Sequence, residues 1–384
     1  MTGSLVTGKF ARERCQTSLQ PETLLPMFEV NASNVLVYFA DSGRPQWEQL
    51  GLGTDALAKS TAAELAWGVS NIVIRVDTPV RSFVVKQSRE QLRTEINWFS
   101  QLDRIWREVD VLKTLATLLP AEAVPQVLSE DRDNYLFTME AIDADHRVWK
   151  ADLLDGVFDS SIAETLAEHL AAIHRGSTGN AEIAERTSDQ TVFDELRLDP
   201  FYRYVAETCT RFSEPLNSLI DRTSQRTDCL VLADFSPKNI LLTSNGPVIV
   251  DFETGHYGDP GFDIGFFLSH LLLKTVKHHE RMAEAIVPAR RFWQIYSEQL
   301  SADPAPAWLI DRSRDSGFER QSVEHLAACT LARVDGKSRV NYLHEPWQPD
   351  FIRNFCEDLL TGVQPRITAA FDLLERSLKS RSVR

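Results

Sequence analysis

"VLADFSPKNILL", residues 231–242, sets Asp234 and Asn239 five positions apart in a short polar loop. Val231 and Leu232 lead into the loop, and Ile240, Leu241 and Leu242 follow it. "VIVDFETGHYGDP", residues 248–260, repeats the plan, with an apolar strand running straight into Asp251. Two neighbouring buried strands that end on carboxylates are costly unless cations or a shared task compensate them. The rest of the chain is expected to supply a partner.

Upstream, "TAAELAW" (61–67), "NIVIRV" (71–76) and "RSFVVKQ" (81–87) read as three strands joined by segments of hairpin length. A long helix is expected over about 99–119, then "PQVLSE" and "YLFTMEAI" as two more strands. In the helix, Leu102, Ile105, Val109, Leu112, Ala116 and Leu119 recur at helical spacing as one apolar stripe. Glu108 projects from within that stripe, where a carboxylate needs a cation or a raised pKa. Lys86, ending "FVVK", is the natural partner; a Glu reaching solvent at the stripe's edge is the alternative.

Beyond Ile142 the pattern becomes helix upon helix: 160–175, 193–208, 212–222, 262–274, 279–302, 318–333 and 349–379, the last broken near Pro365. The two motif strands interrupt it. "NVLVYFADSG" reads as a short helix, and residues 1–32 as an extension or arm. A small antiparallel-sheet lobe with one helix (33–142) therefore precedes a larger helical lobe (143–384). A length of 384 residues suits two such lobes.

Composition excludes several classes. Hydrophobic residues at 43% and charged residues at 25% are those of a soluble globular protein. "DIGFFLSHLLL" is too short to span a bilayer, and no charged-then-apolar leader opens the chain. No membrane partner is expected. The five cysteines (15, 209, 229, 329, 356) are scattered and never form CxxC, which points to a reducing cytoplasm. A net charge of −14 argues against nucleic acid as a partner.

Strand Lys, helix Glu, DxxxxN loop and strand-terminal Asp, in that order, resemble the protein-kinase set. In detail they resemble the aminoglycoside phosphotransferase and choline kinase branch, the small-molecule kinases of that fold. There the catalytic loop commonly reads HGDxxxxN and the metal motif D-[FWH]-[EDG]. Here those places hold Leu232-Ala233-Asp234 with Asn239, and Asp251-Phe252-Glu253. The likeness spans roughly 62–275, and "LARVDG" (331–336) also looks family-like. Leu232 departs from the usual His.

The resemblance implies an α+β, protein-kinase-like two-lobed fold. It also implies an ATP- and Mg2+-dependent phosphotransferase acting on a small-molecule hydroxyl. Lys86, oriented by Glu108, would contact the α- and β-phosphates, and Asn239 and Asp251 would hold magnesium, with Glu253 near a second metal. Asp234 would orient or accept the hydroxyl proton; its other reading is a turn cap beside Pro237. Gly68, Ser70 and Asn71 fall in the phosphate-covering hairpin, whose plain reading is a turn. Met139, Glu140 and Ile142 would border adenine, with the amides of 140–142 reading its edge. Asp263 reads as a helix cap and, in the resembled family, also braces the catalytic loop. His256 and Asp259 are weaker candidates for substrate contact.

Other features carry less. "LGLGTDA" (50–56) matches a dinucleotide turn without the strand that should precede it. "KHHER" (277–281) lacks further ligands at metal spacing, and His169 and His174 read as packing residues. Two rivals remain: a non-catalytic kinase-fold protein that binds nucleotide or metabolite, and an unrelated scaffold. Residues 143–200 hold thirteen acidic and five basic side chains, a net of −8. An acceptor lining drawn from them would favour an amine-bearing or neutral compound, such as an aminoglycoside, amino sugar, amino alcohol or related sugar.

Overall fold

The computed structural model describes residues 27–40, 50–65, 71–89, 101–310, 317–362 and 366–382. Its smaller lobe is built on an antiparallel sheet of β1 (Thr61–Glu64), β2 (Asn71–Asp77), β3 (Ser82–Ser88), β4 (Val127–Asp131) and β5 (Leu136–Glu140). The strand order is β1-β2-β3-β5-β4. The two-residue period of a strand sorts the side chains between two faces. Ile72, Ile74, Val76, Phe83 and Val85 enter the lobe's own core, while Val73, Val84 and Lys86 face a cleft.

The core face is covered by the Val35–Ala40 helix and the segment before it. Residues 27–32, expected as part of an arm, are instead docked on the sheet. Phe28 N–H donates to Asn134 Oδ1 (2.7 Å), and Val30 N–H donates to Gln87 Oε1 (2.9 Å). Gln87 Nε2 returns bonds to Phe28 O and Asn134 O, both 2.8 Å. Buried backbone groups that leave water must find such partners.

The helix that carries Glu108 runs Arg104–Leu118, shorter than expected from the stripe; residues 90–100 lie outside the described residues. Its Ile105, Val109, Leu112 and Leu115 join the core of the larger lobe, so the helix ties the two lobes together. Contact there is close: a Cβ on Gly255 would stand 2.7 Å from Val111 Cγ2.

The larger lobe contains the helices Ser160–Ser177, Thr210–Ser224, Pro260–Lys277, Val287–Ser301, Phe318–Asp335, Gln348–Thr361 and Ile367–Ser382. Helices Trp149–Leu154 and Ala181–Thr187 were not expected from the sequence. Within the helical run 191–208, Asp194–Arg203 is wound as a π-helix containing Pro200. The apolar Pro260–Lys277 helix is buried along its length against Phe318–Asp335. Gly265 permits that approach, since a Cβ would come within 2.5 Å of Leu326 N. Among the described residues no helix is long and apolar enough to cross a membrane.

Two small sheets carry the motifs: β6 (Arg147–Val148), β7 (Cys229–Val231), β8 (Ile240–Thr243), β9 (Gly246–Ile249) and β10 (His256–Gly258). β7 pairs with β10, whereas β8 pairs with β6 and β9. The strands leading to Asp234 and Asp251 are therefore not sheet neighbours, contrary to expectation. A backbone bond from Val250 N–H to Asn239 O (3.0 Å) joins the two motifs instead.

Candidate active site

Central in β3, Lys86 lies opposite Val73 of β2 and Phe137 of β5. Its Nζ stands 2.6 Å from Glu108 Oε2 and 2.9 Å from Asp251 Oδ1. Lys86 is 5% exposed and Glu108 1%, so the edge-of-stripe alternative for Glu108 fails. One ammonium thus serves two carboxylates. Burial opposes the charge on Lys86, yet Asp251 and Glu108 outweigh it and raise its pKa. Burial also opposes ionisation of Asp251, but Lys86 and then Lys238 hold its pKa at about 2. Glu108 is the more strongly desolvated acid, and burial pushes its carboxyl up to about 7 despite Lys86.

The pairing has a measurable consequence. Lys86→Met and Glu108→Gln should each weaken binding of a non-hydrolysable ATP analogue by about ten-fold. In a double-mutant cycle they should couple by about 1 kcal/mol, the double variant losing little more than either single one, because they share one interaction. Titration calorimetry giving additive losses would reject the shared role.

A cleft of about 960 Å³ opens between the lobes beside this triad. Leu65, Val73 and Val84 line it from the sheet, and Leu241 and Val250 from the larger lobe, giving an apolar slot that suits a flat ring. Met139, Glu140 and Ile142, read from the sequence as bordering adenine, line the cleft. One detail differs: Glu140 N–H already donates to Gln126 O (2.9 Å), so that amide is not available to read a ring edge. Ile142 O accepts from Arg75 Nη1 (2.6 Å). Asn71 Nδ2 donates to Glu253 Oε2 (3.2 Å), and Arg104 Nε lies 3.6 Å from the same oxygen. Gly68 and Ser70 lie outside the described residues.

Asp234 is gripped from three sides. Arg197 Nη2 lies 2.8 Å from Oδ1, Lys238 Nζ 2.9 Å from Oδ2, and Asn239 Nδ2 donates to Oδ2 at 2.8 Å. The loop itself is held by Asp263, which accepts from Leu232 N–H (2.8 Å) and Ala233 N–H (2.7 Å). Arg197 Nε donates to Ala233 O (2.7 Å), and the Thr254 hydroxyl donates to Leu232 O (3.0 Å). Ala233 and Asp251 have φ of +58° and +72°, a left-handed conformation costly for residues with a Cβ. Strain at these two points is tolerated because surrounding bonds over-determine the loop. Leu232 is buried, and its peptide is held through its backbone.

Asp263 sits in the first turn of its helix, but the cap is Asp259, whose Oδ1 accepts from Gly261 N–H (2.9 Å). Asp259 also meets His325 Nε2 at 3.0 Å and Arg226 at 3.6 Å. His256 stacks on Phe193 at 4.1 Å, and burial lowers its pKa to about 4. Both side chains are buried away from the cleft, which removes them as substrate contacts. His174 packs as expected, with Tyr296 Oη at 2.7 Å from Nδ1 and Asp263 at 3.3 Å from Nε2.

Oxygen donors suited to a hard cation are present. Asn239 directs its amide nitrogen to Asp234, and its carboxamide oxygen has no donor among the described residues. Asp251 gives only Oδ1 to Lys86. An amide oxygen and a carboxylate oxygen fit magnesium, which takes few protein ligands and completes its shell with water and phosphate. No group of three His, Cys, Asp or Glu able to hold a metal occurs among the described residues, so "KHHER" forms no such centre. Sequence reasoning missed Arg197; Lys238, four after Asp234 in the quoted loop, was visible there.

The profile of the Phosphotransferase enzyme family matches residues 61–307. A methylthioribose kinase of Yersinia pestis (strain Pestoides F) is 27% identical over 257 residues, covering 59% of this chain and 62% of the kinase. The chain thus spans about three fifths of the length of such curated relatives. A methylthioribose kinase of Pectobacterium atrosepticum is 25% identical over 284 residues, 63% of this chain and 69% of that one. An amicoumacin kinase in complex with AMP-PNP, Ca2+ and Ami superposes with a TM-score of 0.51 at 14% identity. The alignment covers 87% of this chain and 97% of that one, and it agrees with the two-lobed, protein-kinase-like α+β fold.

Proposed function

The chain belongs to the Phosphotransferase enzyme family, and we propose that it transfers the terminal phosphoryl group of ATP to a hydroxyl of a small molecule. One observation carries the reading: the Lys86–Glu108–Asp251 triad and the Asp234–Asn239 loop face the same cleft, beside an apolar slot. When bound, ATP supplies the activated phosphoryl group and magnesium disperses its negative charge. Lys86 would bind the inner phosphates, with Glu108 fixing its direction, and Asn239 and Asp251 would hold the metal. Glu253, whose Oε2 faces Asn71 and Arg104, would brace the hairpin residue instead of binding metal. Asp234, fixed by Arg197, Lys238 and Asn239, is a rigid acceptor that orients the attacking hydroxyl.

For the acceptor, the kinship with methylthioribose kinases favours a sugar-like or polyol hydroxyl. The basis for expecting a cationic or neutral acceptor is weakened by the structure. None of the thirteen acidic residues of 143–200 lines the cleft, whereas Lys150 and Arg197 of that segment do. A cytoplasmic setting, expected from the cysteines, belongs to the same reading.

The test is ATP turnover with magnesium across sugars, polyols, amino alcohols, aminoglycosides and their acidic derivatives, with the phosphorylated product identified by mass spectrometry. At least one acceptor should be phosphorylated stoichiometrically with ADP formed. ATP–magnesium binding without turnover of any acceptor would favour the non-catalytic rival. Absence of both would reject the reading.

A further inference from the structure

Basic side chains outnumber acidic ones in the cleft: Arg75, Lys86, Lys150, Arg197, Lys238, Arg333 and Lys337 against Glu140, Asp234, Asp251 and Glu253. Most of these cations have partners. Lys86 holds Glu108 and Asp251, Arg197 and Lys238 hold Asp234, Arg75 holds Asp77, and Lys337 holds Asp199 at 2.8 Å. Lys150 and Arg333 remain. Lys150 has no hydrogen bond or ion pair among the described residues. Arg333 donates to Ser338 Oγ (2.9 Å), while its Nε is buried and unbonded.

Behind them the same imbalance continues. Lys274 is 2% exposed, donates to His270 O (3.1 Å) and lies 5.4 Å from the Tyr342 ring, with no carboxylate partner among the described residues. His270 Nε2 and Tyr342 Oη are both buried without a hydrogen-bond partner. Burial, then Lys150 and Arg333, lower the pKa of Lys274 to about 7. Burial and then Arg333 and Lys238 also lower that of Lys150. Other buried cations among the described residues are matched: Arg226 holds Asp228 and Asp259, and Arg104 faces Glu253. Positive charge gathered without compensation, beside orphaned donors, is what a fixed anion site requires before its ligand arrives.

Resting on the kinase reading above, we infer that the acceptor is a hydroxyl compound carrying a carboxylate or phosphate, held by Lys150 and Arg333 while its hydroxyl meets Asp234. Arg333 is close enough to Asp234 and Arg197 to sense both charges, so the anion site and the reacting end belong to one cavity. Phe201 and Phe266, stacked at 6.0 Å, line the same cavity with Leu154 and suit a short carbon skeleton. The nucleotide phosphates do not account for these cations, because their place is set by Lys86, Asn239 and Asp251. Lys274, where protonated, adds to the positive potential from behind, whereas burial and the neighbouring cations keep His270 neutral.

Titration calorimetry without nucleotide, at constant ionic strength, tests this with four six-carbon probes: D-gluconate, D-glucose 6-phosphate, D-glucitol and D-glucosamine. The two anions should bind at least ten-fold tighter than the neutral and cationic probes, and their order identifies carboxylate or phosphate. Lys150→Met and Arg333→Met should each cost the anions ten-fold or more, and Lys150→Arg should restore most of it. AMP-PNP binding checks that the variants fold. Glucitol or glucosamine binding as tightly as the anions, or no binding by any probe, overturns the inference whatever the variants do. Anion binding without turnover of any acceptor would instead count against the kinase reading and leave the anion site standing.

Discussion

Asp234→Asn should leave binding of an ATP analogue with magnesium within about three-fold while cutting phosphoryl transfer by about 10²–10⁴, or roughly 3–5 kcal/mol of barrier. Asp251→Asn should do the opposite first, removing metal-dependent nucleotide binding. The contacts divide the labour. Asp234 touches Arg197, Lys238 and Asn239 and does not reach Lys86, whereas Asp251 shares the Lys86 ammonium with Glu108. Replacing the Asp234 carboxylate by an amide keeps the shape but presents an N–H₂ to one of two cations. The loop should survive that change, because Asp263 and Thr254 hold its backbone independently. Calorimetry with AMP-PNP and single-turnover transfer separate the two effects. If Asp234→Asn loses as much nucleotide affinity as Asp251→Asn, the assignment of base and metal ligand is wrong.

The residues behind this prediction were legible because the signals that specify them are local. A strand period put Lys86 on the cleft face opposite Phe83 and Val85, and a helical period put Glu108 inside an apolar stripe. Asp234, Asn239 and Asp251 stand at fixed spacing in short loops. Arg197 was not legible, because a π-helical turn containing Pro200 alters the direction that ordinary helical spacing would give. The acids of 143–200 were a poor guide to the cleft lining for a related reason. A segment's net charge does not say which face of its helices is turned inwards, and the acids of 143–200 sit on other faces. Lys150, Lys274 and Arg333 are 59 or more residues apart in sequence and meet only through tertiary packing. Pairing of β7 with β10 is likewise non-local, and the apolar character of each strand does not choose its neighbour.

Asp263→Ala should destabilise the protein by roughly 3–5 kcal/mol, a loss large enough to threaten folding. The carboxylate is 0% exposed and accepts two backbone N–H groups, from Leu232 and Ala233. Removing it leaves both donors buried without acceptors, at about 1–3 kcal/mol each. His174 would keep Tyr296 but lose its second partner. Ala233, at φ +58°, is held from its other side by Arg197, so loss of Asp263 frees the strained peptide to relax. Asp263→Asn should cost less, about 1–3 kcal/mol, since one oxygen can still accept while the amide N–H₂ opposes a second N–H. Relaxation there displaces Asp234, the next residue, so the Asn variant should lose transfer rate well beyond its loss of nucleotide affinity. Urea melts followed by circular dichroism measure the stability, and single-turnover kinetics on the folded Asn variant measure the rate. A melt for Asp263→Ala within about 0.5 kcal/mol of the parent protein would show that the loop is braced by something else, and the Thr254 and Arg197 contacts would then have to carry it alone.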